Sequence, residues 1–276
     1  MTSDHPNKAN RPSDFAEQFK ELLQRRKRVD EAVRKRLKTL MQRYPAIFNP
    51  IWAAAYPYFR RGSGEVVSEF QDNVEAFSKI HSDNLWGSSE SLSGWGSTLA
   101  YTAVMRKHLE RLLTDMKVRT LLDAPCGDFN WMAHVSLPPE ASYIGGEIVP
   151  DLVTSLNQRY GTKRHAFRAI DIVRGPIPRA DLWLCRDVLF HLRNEDALSV
   201  LRNFVASDVP FLLTTTYDFV RQNGDTRPGG FRYINLRLPP FGLGKPRLKI
   251  PDFLAPAPPR YLALWSHKDV KASLSA

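Results

Sequence analysis

The chain has 276 residues, 43% of them hydrophobic, enough for one large domain or two small ones around a substantial core. Two cysteines exclude a disulfide framework, and the most apolar run, 46–59, is short and broken by Pro50 and Pro57, which excludes a bilayer span. The net charge of +10 is uneven: residues 1–45 hold twelve Lys and Arg against six Asp and Glu, so the strong basicity belongs to an appendage.

Met1–Pro12 is polar and lacks the apolar centre of a secretory signal, so a cytoplasmic protein is expected. Residues 1–13 read as a disordered tail. From Asp14 to Tyr44, apolar residues (Phe15, Phe19, Leu22, Val29, Val33, Leu37, Leu40, Tyr44) recur mostly at steps of three and four, which predicts an amphipathic helix ended by Pro45. Its basic clusters, 25–28 and 34–38, suit a solvated face or an anionic partner: nucleic acid, membrane or acidic protein. No aromatics interleave with these charges, which disfavours nucleic acid. An aromatic-rich connection and a helix around 65–80 complete a helical extension over 14–84.

Residues 85–98, Leu-Trp-Gly-Ser-Ser-Glu-Ser-Leu-Ser-Gly-Trp-Gly-Ser-Thr, are too rich in Gly and Ser for a core element and too rich in Trp for a linker. The segment reads as a lid, or as an ordered loop whose tryptophans pack on the domain. A helix at 99–116 follows. Alternating β-type runs then predict strands at 118–123, 143–147, 166–171, 182–186, 211–216 and 261–266, with helices at 129–135, 150–160 and 194–205 between them. That order is α/β with a parallel sheet. Residues 217–259 are dense in Pro and Gly.

The first strand runs into Leu121-Leu-Asp-Ala-Pro-Cys-Gly-Asp128. An apolar strand ending in an acid, then a small-residue turn, is how a doubly wound sheet builds a nucleoside pocket. Gly127 lets backbone approach a ligand closely. Asp123 and Asp128 can accept from a ligand ammonium, and backbone N–H groups of a following helix start can receive a carboxylate. Pro125 removes a donor and fixes φ, so this turn cannot copy a three-glycine loop. Glu147, twenty residues beyond Gly127, can hold a ribose diol. Dinucleotide enzymes place an acid similarly, but their three-glycine fingerprint is broken here at two positions.

At these residues the chain resembles the class I S-adenosylmethionine-dependent methyltransferases. Asp123, Cys126 and Gly127 match the Asp-x-Gly-Cys-Gly-x-Gly motif, while Pro125 and Phe129 replace its first and third glycines. The Asp-x-Pro-Cys-Gly-Asp-Phe variant is similar to a subgroup associated with surface-glycan modification. The resemblance covers residues 85–265. It implies a Rossmann-like, seven-stranded, mostly parallel sheet over 85–276, with S-adenosylmethionine as cofactor. It further implies that Glu147 holds the ribose, that Asp171 accepts from the adenine amino group with Ile172 beside the ring, and that the loop after the fourth strand faces the methyl group.

That loop holds Arg186, which suits the cofactor tail or a substrate anion, and Asp187 and His191, four apart. On a helical turn the last two would share a face, and the imidazole would be a candidate general base. In such an apolar context His191 is equally a packing residue. Tyr217, Arg232 and Asn235, in the stiff segment after the fifth strand, are candidates for binding a saccharide or small hydroxyl acceptor. No Asn/Asp-Pro-Pro-Tyr/Phe follows the fourth strand, so methylation of adenine or glutamine amino groups is not expected. Cys126 and Cys185 lack the context of a catalytic thiolate and the spacing of a zinc site, and no metal is expected. The expectation is O-methylation by in-line displacement. The alternatives are an RNA methyltransferase gripping through the basic helix and a non-catalytic cofactor-binding scaffold.

Overall fold

A computed structural model describes residues 31–59 and 68–275. The expected disordered tail, and the part of the first amphipathic helix before residue 31, lie outside them. Residues 31–43 form α1. α1 stops at Arg43, just before Pro45, as expected, but Pro45 at once opens a second helix, α2 (Pro45–Phe59), with Pro50 and Pro57 inside it, where a connection was expected. Proline tolerates a first helical position because its missing N–H would be unbonded there anyway. The next helix, α3 (Asn73–Ser82), starts later than the pattern suggests because Asp72 caps it, accepting from the N–H groups of Val74 and Glu75.

Seven strands form one sheet in the order β3-β2-β1-β4-β5-β7-β6. They are β1 (Thr120–Asp123), β2 (Ser142–Glu147), β3 (His165–Ala169), β4 (Leu182–Cys185), β5 (Phe211–Thr216), β6 (Leu248–Pro251) and β7 (Tyr261–Ser266). The first five are mutually parallel. β7 runs antiparallel between β5 and β6. The order reverses between β1 and β4, so a crevice opens at their carboxyl ends.

Side chains on β1 alternate between faces. Leu121 packs with α4 (Leu99–Asp115) and α5 (Pro150–Tyr160), through Leu109, Leu113, Leu152 and Leu156. Leu122 packs on the other face with α6 (Asn194–Ala206) and α7 (His267–Leu274), through Val200, Phe204 and Val270. Both faces of the central strands are covered, which is why β4 (Leu-Trp-Leu-Cys) is buried at every position while β3 at the sheet edge is not.

Two further elements differ from expectation. The seventh strand implied by the resemblance, β6, had no segment assigned to it, because it is a four-residue edge strand with an exposed Lys249 and a terminal proline. The helix expected at 129–135 is only a 3-10 turn, Met132–His134. Phe129 takes a left-handed φ of 61° so that its ring reaches Tyr143, Tyr160 and Phe167. Aromatic burial overrides local helix propensity there. Among the described residues no helix is long and apolar enough to cross a membrane.

Candidate functional site

A cleft lies over the carboxyl ends of β1–β4. Its floor carries Asp123 and Gly127 from the β1 turn, Glu147 from β2, Asp171 and Ile172 beyond β3, and Arg186 and Asp187 beyond β4. The three carboxylates expected at successive strand ends therefore share one cavity.

Each is held differently. Asp123 is almost fully buried and accepts from the Tyr143 hydroxyl at 2.8 Å. Burial pushes its carboxyl up to about 7. Glu147 Oε2 accepts from Gly127 N at 3.1 Å, and Oε1 from Ile148 N at 2.8 Å and Val149 N at 3.3 Å. Burial raises its carboxyl above the usual range in spite of those donors. Oε2 takes one hydrogen bond where it can take two, so capacity for a diol remains. Asp171 stands just past the end of β3, where one carboxylate oxygen accepts from Val173 N and Arg174 N and fixes the turn.

Gly127 has φ of 55°, and a Cβ there would collide with Ser93 Oγ. That collision excludes a side chain here, so Gly127 lines the cleft with backbone alone. The neighbouring Asp128 does not line the cleft. Its carboxylate accepts from Ser91 Oγ (3.0 Å), Leu92 N (2.8 Å) and Ser93 Oγ (3.2 Å). Asp128 thus latches the 85–98 segment, and the expected contact of its carboxylate with a ligand ammonium is replaced by that latch. Glu90 adds a second fastening, accepting from Leu99 N and Asn130 Nδ2. The latched segment sets Trp86, Leu92 and Ser93 over the cleft. No helix N-terminus follows the turn, so the expected helix-start carboxylate site is not formed.

The roof also contains residues with no signal in the sequence. Asn73, Phe77, Ile80 and His81 of α3 line the same cleft, so the expected boundary at residue 85 cuts through the site. Asn73 donates to Asp196 through Nδ2, while its Oδ1 is buried without a hydrogen-bond partner. An orphaned buried acceptor on a cavity wall is a place for a ligand donor.

Beyond β4 the expectations change most. Arg186 is spent inside the protein: Nε and Nη2 donate to the Asp252 carboxylate at 2.9 and 3.0 Å, Nη2 also to Gly96 O, and Nη1 lies 3.2 Å from Asp187. Arg260 meets the same two acids, with Nη2 2.8 Å from Asp187 and Nε 3.2 Å from Asp252. Burial works against the Asp252 charge, but the two guanidiniums outweigh it and hold that carboxyl below its usual range. Asp252 and Arg260 come from the Pro-rich stretch more than sixty residues later in the chain, so no spacing rule could have paired them with Arg186.

Asp187 and His191 do not form a dyad. Residues Leu189–His191 make a 3-10 turn, and Asp187 has φ of 57°. Asp187 bonds Thr215 instead. His191 lies behind Trp86, stacked at 5.1 Å, with Nδ1–H donated to Gly230 O. Burial pushes its pKa down to about 4, and it does not line the cleft. The three candidate acceptor residues lie outside the cleft too. Arg232 is 1% exposed and donates to the carbonyls of Leu189, Leu192 and Gly224 and to Asn194 Oδ1. Asn235 is bonded to Val220 O and Arg237 N. Tyr217 is buried against Phe190, Phe219 and Tyr233. All three brace the loop after β5, because burying such groups without partners would be costly.

No protein-family model matches this chain, and no curated protein matches it by sequence. Solved structures do match in fold. The N-methyltransferase NodS from Bradyrhizobium japonicum WM9, crystallised with S-adenosyl-L-homocysteine, is 15% identical over 71% of this chain and 98% of its own, with a TM-score of 0.51. Magnesium protoporphyrin IX methyltransferase ChlM from Synechocystis PCC 6803, with the same ligand, is 11% identical over 70% and 96%, TM-score 0.49. PigF with SAH is 19% identical over 60% of this chain, TM-score 0.45. The chain spans 55% of PigF and 46% of human N-acetylserotonin methyltransferase, about half the length of each. At these identities the likeness is one of fold: a Rossmann-like sheet of seven strands, mostly parallel.

Proposed function

We propose that this chain is an S-adenosylmethionine-dependent methyltransferase that methylates a hydroxyl of a saccharide or another small metabolite. One observation carries the reading: Asp123, Glu147 and Asp171, from three successive strand ends, face one cleft around a backbone turn kept bare by Gly127. The fold shared with NodS supports it.

The donor set suits this cofactor. Glu147 would accept from the ribose diol, and Asp171 with the orphaned Asn73 Oδ1 from the adenine amino group, Ile172 and Phe77 lying on the ring. Asp123 would take the ammonium, directly or through water. When bound, the cofactor supplies an electrophilic methyl on a sulfonium, a leaving group that needs no protonation. The chain's part is then alignment and exclusion of water. Trp86 and Leu92 close the cleft from above. Asp187, fixed by Arg186, Arg260 and Thr215, would orient the acceptor hydroxyl by accepting from it and would take up the proton that this oxygen releases as its bond to the methyl carbon forms and the methyl–sulfur bond breaks. His191 supports the Trp86 ring from behind; an imidazole with its pKa near 4 is a poor base at neutral pH. The acceptor wall is therefore assigned to Trp86, Leu92 and Asp187, since the loop after β5 is fully used in bracing.

Calorimetric titration with S-adenosylhomocysteine decides the matter. Saturable binding that disappears in Glu147→Ala supports the reading. A folded protein that takes up no ligand, or a Glu147→Ala variant of unchanged affinity, would falsify it. Methyl release from the cofactor across a panel of saccharide and phenolic acceptors then identifies the substrate.

A further inference from the structure

Helices α1 and α2 carry an apolar stripe that nothing among the described residues covers. Val33, Leu37, Leu40, Tyr44, Ile47 and Ile51 are 45–60% exposed. They follow one another at steps of four and three, so at 3.6 residues per turn they fall within roughly 80° of arc. The run is nearly continuous: Tyr44 N still donates to Leu40 O, and Phe48 N to Tyr44 O across the junction.

The two helices divide their chemistry. In α1 every residue from 31 to 40 is exposed, and 31–43 contains Arg34, Lys35, Arg36, Lys38 and Arg43 against a single acid, Glu31. In α2 none of the 15 residues is charged. One side of α2 is bolted to the domain: Asn49 bonds Phe253 O and Ala255 N, and the Trp52 indole donates to Ala257 O. The opposite side presents Ile47 and Ile51 to solvent at 59% and 60% exposure. A solvent-facing side with no charge, continued by a helix with five cations, is the composition of a helix lying in a membrane interface. Arginine and lysine stems can lie along such a surface while their charges reach the headgroups.

We infer that α1 and α2 form an in-plane anchor that docks this chain on an anionic lipid bilayer. Charge selects that occupant. A second copy would set two strongly basic helices side by side. Nucleic acid would pair with the cations but leave the apolar stripe in water, with no interleaved aromatics to stack. At about 1.5 Å per residue α2 is about 22 Å long, shorter than the ~30 Å hydrocarbon core, so it lies on the bilayer and does not cross it. This docking does not depend on the methyltransferase reading.

The test is flotation of the full chain with vesicles of phosphatidylcholine alone and of phosphatidylcholine with phosphatidylglycerol at about 7:3. The expected result is co-flotation with the anionic vesicles and little with the neutral ones. Ile47→Glu with Ile51→Glu lowers the partition at least tenfold at unchanged far-UV circular dichroism and Tm, because both side chains are exposed. Arg36→Glu with Arg43→Glu removes the preference for anionic lipid. Three outcomes overturn the inference: no retention by anionic vesicles, retention that the isoleucine variant leaves intact, or a dimer in sedimentation equilibrium that the same variant dissociates. Binding to a mixed-sequence RNA that outcompetes the vesicles would likewise overturn it.

Discussion

The two sides of the sheet's carboxyl edge use the same residue types to opposite ends. On the β1–β2–β3 side, Asp123, Glu147 and Asp171 make no ion pair with a buried cation among the described residues, and burial raises the carboxyls of the first two even though Arg186 acts against it at Asp123. On the β4–β5–β7 side, Asp187 and Asp252 are matched by Arg186 and Arg260, which hold Asp252 low. A buried acid left without its counter-charge is kept at a cost and gains when a ligand brings donors. A fully buried acid with its cations in place, Asp252, is architecture, whereas half-buried Asp187 is fixed by the same cations and still faces the cleft. The difference separates grip from frame.

Isosteric neutralisation breaks this comparison most sharply. Asp252→Asn leaves two buried guanidiniums to one remaining carboxylate and should cost about 3–5 kcal/mol. For a chain of this size that lowers Tm by about 10 °C, read by calorimetry or chemical denaturation. Glu147→Gln should do the reverse, holding or raising Tm while S-adenosylhomocysteine affinity falls at least thirtyfold. Equal losses of stability in the two variants would erase the distinction drawn here.

Gly127→Ala tests the cradle. The left-handed φ and the collision with Ser93 Oγ predict a loss of about 1–2 kcal/mol and roughly tenfold weaker ligand binding, since the 91–93 segment must move. Asp128→Asn is milder: it removes the charge from the latch but keeps an acceptor, so proteolytic cleavage within 85–98 should quicken a fewfold at nearly constant Tm. The remaining effect is on pH. Folded Asp123 keeps its proton up to about pH 7, whereas the unfolded carboxyl releases it near 4. Its contribution to stability is therefore present in acid and lost as pH rises through 7, and a cationic ligand held by the carboxylate should bind more tightly over the same interval. Asp123→Asn should flatten both slopes, measured by urea titrations and calorimetry between pH 5 and 8.

Placement of the cleft was readable from residue order because its floor is built locally. Strand, small-residue turn and acid are consecutive in sequence, and a parallel sheet brings such strand ends to one edge whatever the intervening helices do. The helix after β1 failed for an equally local-looking reason that is in fact tertiary: Phe129 leaves the helical basin to reach rings from β2, β3 and α5. Asp187 and His191 illustrate the same limit, since a spacing of four implies a shared face only if the turn is α-helical.

By itself, then, the order of amino acids determined the α/β class, the strand that carries the glycine turn and the three acids beyond it, since periodicity and turn chemistry act over a few residues. Only the tertiary structure decided which charges are free to meet a ligand. Arg186 finds Asp252, Arg232 finds the carbonyls beneath it, and Asn73 arrives from the extension with an acceptor unused. Those outcomes depend on desolvation and on partners distant in the chain, and a charge is spent or available according to what folding sets beside it.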